Sequence, residues 1–112
     1  MMISDPNIVE IWQKNKKICI EIKDICFCKA DGCYTHIFLK YGKSFIKSKP
    51  LKELENQLNQ DVMVRCHNSY LVNLNHIISI DLEKKLIVQE FYQIPISHRK
   101  LLKFIKHCIK IY

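Results

Sequence analysis

The sequence predicts a mainly β domain of antiparallel strands carrying short helices. Three observations lead there. Residues 17–23 alternate apolar and polar side chains, the period-2 pattern of a strand with one buried face. Asp31-Gly32 lies between two runs rich in aromatic and β-branched residues, a strong signal for a tight hairpin. Clear helical periodicity is confined to the segments after Pro50 and after Ser97.

Taken in order, residues 1–16 read as an N-terminal arm or short helix, because Ser4-Asp5-Pro6 is a good helix start and Ile8, Val9, Ile11 and Trp12 fall roughly on one helical face. The domain proper is expected over residues 17–112. Strands at 17–23 and 24–29 lead to the Asp31-Gly32 turn, and the chain returns through 34–40. Tyr41-Gly42-Lys43 turns again into 44–47. Pro50 interrupts the sheet, since proline cannot donate to a ladder, yet it suits the first turn of a helix. Leu51, Leu54 and Leu58 then share one face, so a helix is expected over 50–59. Residues 61–64 lead into a polar string, Arg65-Cys66-His67-Asn68-Ser69, followed by the apolar Tyr70-Leu71-Val72 and a turn at 73–75. A hairpin over 76–81 and 86–90 bends at Glu83-Lys84-Lys85, and 93–96 is a short edge strand, where Pro95 is tolerated. Ser97 is the expected N-cap of a last helix whose apolar face is Leu101, Leu102, Ile105, Cys108 and Ile109, with Phe104 beside it.

Composition narrows the class. A chain of 112 residues, 48% apolar and 26% charged, suits one folded domain and argues against disorder. Uncharged runs are too short to span a membrane and no basic-then-apolar leader opens the chain, so cytoplasm is the expected location. Six Cys with only two Gly do not resemble a disulfide scaffold, so free thiols are expected. Cys26, Cys28, Cys33 and His36 lack the paired C-x2-4-C spacing of a zinc site, and neither metal nor cofactor is expected. An enzyme with a small-molecule substrate is the least supported class. No nucleophile elbow, phosphate loop or metalloprotease string occurs, and Cys66 and His67, adjacent in a strand, point to opposite faces.

Charge points elsewhere. The formal net charge of +7 is the footprint of a protein that meets phosphates or an anionic surface. From Phe91 to the end there is no acidic residue, while Arg99, Lys100, Lys103, Lys106 and Lys110 are basic, and Lys40, Lys43, Lys47, Lys49 and Lys52 form a second run. A cationic first helical turn at His98-Arg99-Lys100 opposes the helix dipole, so an external anion explains it better than folding does. Arg65 and Arg99 are the only arginines, and both fall in the two polar segments, where a planar fork does what a lysine point charge does not. Arg and Asn match purine edges in a DNA major groove, which makes nucleic acid the first hypothesis for the 65–69 string. The plainer alternative is a strand-connecting turn whose Asn68 and Ser69 bond local backbone.

The pattern resembles the LytTR family of bacterial DNA-binding domains over about residues 17–110. The strings carrying the resemblance are Asp24-Ile25-Cys26-Phe27 with Ala30-Asp31-Gly32-Cys33-Tyr34, Pro50-Leu51-Lys52-Glu53-Leu54-Glu55, Val64-Arg65-Cys66-His67-Asn68-Ser69-Tyr70-Leu71-Val72-Asn73, His76-Ile77-Ile78-Ser79-Ile80, and Ile94-Pro95-Ile96-Ser97-His98-Arg99. The resemblance implies an elongated β-β-β sandwich of antiparallel sheets with short helices, reading double-stranded DNA through loops in successive major grooves. By position it implies Tyr34, Asn68 and Arg99 as base readers. Lys47, Lys49, Arg65, His67, Ser69, Ser97, His98 and Lys100 are then expected to hold phosphates or support the readers. Members often carry Arg where this chain has Asn68, and Ser where it has Pro50.

The leading expectation is a sequence-specific transcription regulator without catalysis. It would be a response-regulator output domain of a two-component system or a stand-alone regulator, with a homodimer on repeated sites and a regulatory protein as further partners. The alternative is a basic module binding an anionic membrane surface or a protein partner. RNA binding lacks the aromatic sheet platform of the common modules. On the leading reading, two arginine-bearing turns protrude side by side from a stiff β scaffold.

Overall fold

A computed structural model describes residues 5–111, with side chains through residue 109. Ile8–Gln13 (β1) and Lys16–Glu21 (β2) form an antiparallel hairpin that turns Val9, Ile11 and Ile20 inward and Glu10, Trp12, Lys17 and Cys19 outward. The helix anticipated among residues 1–16 is therefore a strand where it is described, and Ser4 lies outside the described residues. The reason is pairing. Val9 and Ile11 both bury at period two once β2 supplies a partner, whereas the helical face through Trp12 leaves that ring without a core to enter.

The centre of the molecule is a five-stranded antiparallel sheet. Its strands are Ile25–Asp31 (β3), Tyr34–Leu39 (β4), Ser44–Lys47 (β5), Met63–His67 (β6) and Tyr70–Asn73 (β7), in the order β5-β4-β3-β7-β6. The helix Leu51–Gln57 (α1) connects β5 to β6. Ile77–Asp81 (β8), Leu86–Gln89 (β9) and Gln93–Pro95 (β10) make a third sheet in the order β10-β9-β8, with Pro95 on an edge strand as expected. A 3-10 turn over His98–Lys100 opens the helix Leu101–Ile111 (α2).

Both faces of the central sheet are covered. On one, Ile25, Cys28, Ile37, Met63 and Leu71 meet Val9, Ile11 and Ile20 of the β1-β2 hairpin and Leu51, Leu54 and Leu58 from α1 and its end. On the other, Cys26, Phe27, Cys66 and Val72, with Leu74 just past β7, meet Ile87 and Ile94 of the third sheet, Ile96 just past it and Phe104 of α2. Three stacked sheets with short helices result, 46 Å along the longest axis, which is the β-β-β sandwich the resemblance implied. Burial on two faces also explains why Ile25, Cys26, Phe27 and Cys28 are buried in succession rather than alternating. Asn73 ties the layers together: its buried amide donates to the Ile22 and Ile25 carbonyls at 3.0 and 2.9 Å and accepts from Asn75 N–H at 2.9 Å.

One helix face differs from expectation. Leu101, Phe104 and Cys108 pack into the core, while Leu102 and Ile109 are exposed. Leu101, Phe104 and Cys108 recur at i, i+3 and i+7 within α2, and this is the stripe that meets Cys66, Ile87, Ile94 and Ile96, so Phe104 becomes the buried centre. All six cysteines are free thiols.

Candidate nucleic-acid interface

Three polar loops gather at one end of the central sheet. The first is the β3-β4 turn, where Asp31 pairs with Tyr34 and Gly32, at φ +59°, takes the left-handed conformation that a side chain would strain. The second, His67-Asn68-Ser69, joins β6 to β7, and a bulge at Cys66 bends the strand just ahead of it. The third is the turn from Ser97 to Lys100. Two backbone hydrogen bonds hold them together: Ala30 N–H donates to the Ser69 carbonyl at 2.8 Å, and Ser97 N–H donates to the Cys66 carbonyl at 2.9 Å. The buried Cys66 thiol sits between the Tyr70 and Pro95 carbonyls at 3.8 and 3.7 Å. Its apolar surroundings push its pKa up to about 12, so it is a neutral packing group.

The central turn is braced from within. Arg65 donates from Nε to the His67 carbonyl at 3.0 Å, from Nη2 to the Asn68 carbonyl at 2.6 Å, and from Nη1 to Glu55 of α1 at 2.7 Å. His67 accepts the Ser69 N–H at Nδ1, 3.1 Å away, and its ring meets Tyr70 edge-on. Ser97 caps the last turn as expected, its hydroxyl accepting from Lys100 N–H at 3.2 Å.

The expected base readers all face outward: Tyr34 is 51% exposed, and Asn68 and Arg99 are exposed. Among the expected supports, His98 and Lys49 are exposed, and His67, Ser69, Ser97 and Lys100 are half-buried around the same loops. Lys49 pairs loosely with Glu53 at 3.8 Å, and its carbonyl accepts from Thr35, next to Tyr34.

Two assignments change. Arg65 is not a protruding arm, because its guanidinium is committed to Glu55 and to two carbonyls of the turn that displays Asn68. Of the two arginine-bearing turns, only the one with Arg99 presents its side chain to solvent. Lys47 is turned inward and donates its ammonium to the Glu10 carbonyl of β1; burial, and then repulsion from Lys49, pull its pKa below the ordinary lysine value.

Other cations join the site. Lys29, exposed at the end of an otherwise buried run, holds its ammonium 5.9 Å from the Tyr70 ring centre, beside the central turn. Lys52, Lys100, Lys103 and His107 line a cleft of about 360 Å³ between α1, β6 and α2, with the Arg65–Glu55 pair in its wall. The i, i+3, i+7 recurrence of Lys100, Lys103 and His107 was a readable signal for that cleft. Glu55 is paired with Arg65 at 2.7 Å and Asp31 is hydrogen-bonded to His36 at 3.0 Å, and the lysines outnumber these carboxylates around the loops.

Residues 15–108 match the family model of the LytTr DNA-binding domain. The chain belongs to this family. It is 29% identical over 97 residues to the heme-containing CO-sensing transcriptional regulator RcoM 2 of Paraburkholderia xenovorans, covering 82% of this chain and 36% of that protein. It is 31% identical over 94 residues to the transcriptional regulatory protein BtsR of Escherichia coli K12, covering 80% of this chain and 38% of that protein. The chain thus spans just over a third of the length of these curated relatives. A solved LytTr DNA-binding domain from a Bacillus cereus protein has the same fold, with a TM-score of 0.77 at 24% identity over 90% of this chain and 95% of that one. In the LytTr domain described here, the long string over 64–73 divides cleanly: Leu71, Val72 and Asn73 are core, and Asn68 is surface. Among the described residues, no helix is long and apolar enough to cross a membrane.

Proposed function

We propose that this LytTr domain is part of a sequence-specific transcription regulator that binds double-stranded DNA and reads successive major grooves through its loops. The observation that supports it is the convergence of Tyr34, Asn68 and Arg99, exposed on three loops that backbone hydrogen bonds tie to one sheet end. The Arg99 fork suits guanine and the Asn68 amide suits adenine, while the Tyr34 hydroxyl donates or accepts. Lys49, His67, Ser69, Ser97, His98 and Lys100 hold phosphates in this reading, joined by Lys29, Lys52 and Lys103. A 46 Å body is long enough to span the roughly 34 Å repeat of the major groove along one side of a duplex. Cytoplasmic location, a homodimer on repeated sites, a regulatory protein partner and a place downstream of a two-component signal belong to the same proposal.

Selection of bound duplexes from a random pool at moderate salt tests it, and a recovered consensus is the expected result. Arg99→Ala should then cost about 1–3 kcal/mol on that consensus and relax one base position. Equal loss on random and selected duplex contradicts the role of Arg99, and no enrichment at all overturns the function. A second reading, binding to an anionic membrane surface, draws on Leu102 and Ile109, exposed beside Lys103 and Lys106 on α2. Flotation with acidic vesicles in the absence of duplex binding would favour it.

A further inference from the structure

The tip of the β1-β2 hairpin is separate from the three loops above, and it is a basic arm bearing the chain's single tryptophan. We propose that this arm, from Trp12 to Lys17, grips the sugar-phosphate backbone of duplex DNA flanking the sequence that the loops read. The inference rests on the DNA-binding reading above and extends it to a second contact surface.

The placement follows from hydrogen bonds on either side of β1. Gln57, at the end of α1, donates to the Ile8 carbonyl at 3.3 Å, and the Lys47 ammonium donates to the Glu10 carbonyl. Lys47 ends β5 and pairs with Thr35, the residue after Tyr34. The hairpin therefore runs from α1 past the end of β5 that lies beside the Tyr34 strand. At about 3.4 Å per residue, its Lys14-Asn15 turn reaches roughly 14 Å beyond the Glu10 anchor. Lys47, expected to hold DNA itself, instead secures the root of the arm.

The surface of the arm suits an anionic partner. Trp12 is 67% exposed and stands opposite Lys17, while Lys14 and Lys16 are exposed at the turn. The one acid on this outer face near the tip, Glu10, is paired with Lys17 at 3.0 Å. Glu21 lies at the far end of the hairpin and is paired with Lys23. A single exposed aromatic is ordinary on a protein surface. Here it adjoins two lysines with no acidic partner among the described residues, and Lys14 holds φ at +54°, a conformation glycine would adopt at lower cost. An indole lying along a sugar edge with ammonium groups on neighbouring phosphates fits that partner and carries no base preference.

Because Trp12 is the only tryptophan, its emission reports on this hairpin alone. The test titrates the full chain with a duplex carrying the selected site inside long flanks, and with one trimmed to the site. The expected result is a shift in Trp12 emission with the long duplex only. Lys14→Gly with Lys16→Ala should remove that shift and flatten the salt dependence on the long duplex by about one to two units, with base preferences intact. Lys14→Gly relieves backbone strain, so this variant should fold as well as the parent, and a thermal melt checks it. Unchanged emission and unchanged salt slope on the long duplex, with Arg99→Ala still relaxing one base position, overturn the arm and leave the DNA-binding reading standing. An emission shift on acidic phosphatidylglycerol vesicles but on no duplex overturns it in favour of a lipid surface. Absence of any duplex binding removes both.

Discussion

Arg65 and Arg99 show how one residue type takes two roles a short distance apart. Arg65 lies where its fork can span Glu55 and the carbonyls of His67 and Asn68, and those three acceptors hold it. Arg99 follows the Ser97 cap in a turn that points its side chain away from the core. The sequence does not distinguish them, because the carboxylate that completes the capture of Arg65, Glu55, comes from α1, and the two carbonyls that join it are backbone groups any residue carries. Arg65→Lys is expected to lower stability by about 1–2 kcal/mol, since an ammonium cannot satisfy three divergent acceptors. The same change should blur preference at the base that Asn68 is proposed to read while leaving the salt slope alone, measured by urea denaturation and by repeating the duplex selection. A variant as stable and as selective as the parent would contradict the bracing role.

At the scale of elements, β7 and the turn after it show why part of a functional-looking string is scaffold. Tyr70-Leu71-Val72-Asn73 reads from sequence as a buried strand leaving a polar loop, and it is one. Asn73, however, satisfies carbonyls of Ile22 and Ile25 from a distant connection, a contact invisible until the layers stack. Asn73→Ala should therefore cost about 2–3 kcal/mol by stranding buried carbonyls, without changing which duplex is preferred. A thermal melt with the parent's midpoint would argue against that. Elements whose partners are adjacent in the chain, such as the Asp31-Gly32 hairpin and the α1 leucine face, were legible from local pattern. Residues 8–13 and the face of α2 were not. The first needed β2 as a partner, and the second turned on which of two adjoining apolar stripes the third sheet covers.

For the molecule as a whole, the charge surplus and the buried thiols make separate predictions. Lys100→Ala should weaken binding to all duplexes by a similar factor and reduce the salt slope by about one, read from affinities over a range of potassium chloride. Loss confined to the selected sequence would place Lys100 among the base readers instead. Cys28 and Cys66, whose pKa values burial pushes from an ordinary value near 9 up to about 12, make stability fall at alkaline pH, and Cys26 and Cys108, raised in the same direction by burial, add to the effect. Below that ordinary value the thiols are neutral in both states and cost nothing. As pH rises from about 9 toward 12, the unfolded chain releases these protons and the folded chain keeps them, so stability falls by about 1.4 kcal/mol per pH unit for each of Cys28 and Cys66. Denaturation at pH 8 and pH 10.5 should show a steeper loss for the parent than for Cys28→Ala with Cys66→Ala; equal losses would refute the assignment.

By itself the sequence determined the number and kind of most strands, the two helices after Pro50 and Ser97, the basic character, and the polar segments on which the site is built. Those are properties of neighbours in the chain, set by side-chain period, turn chemistry and capping. Only the tertiary structure decided that β1 is a strand, that Arg65 and Lys47 turn inward, and that Lys29 and the α1-α2 cleft join the loops. For Arg65 and Lys47 the outcome depends on which carboxylate or carbonyl lies within about 3 Å of a flexible cationic side chain. For β1, Lys29 and the cleft it depends on which strand, ring or helix the fold brings alongside, and a one-dimensional pattern encodes neither.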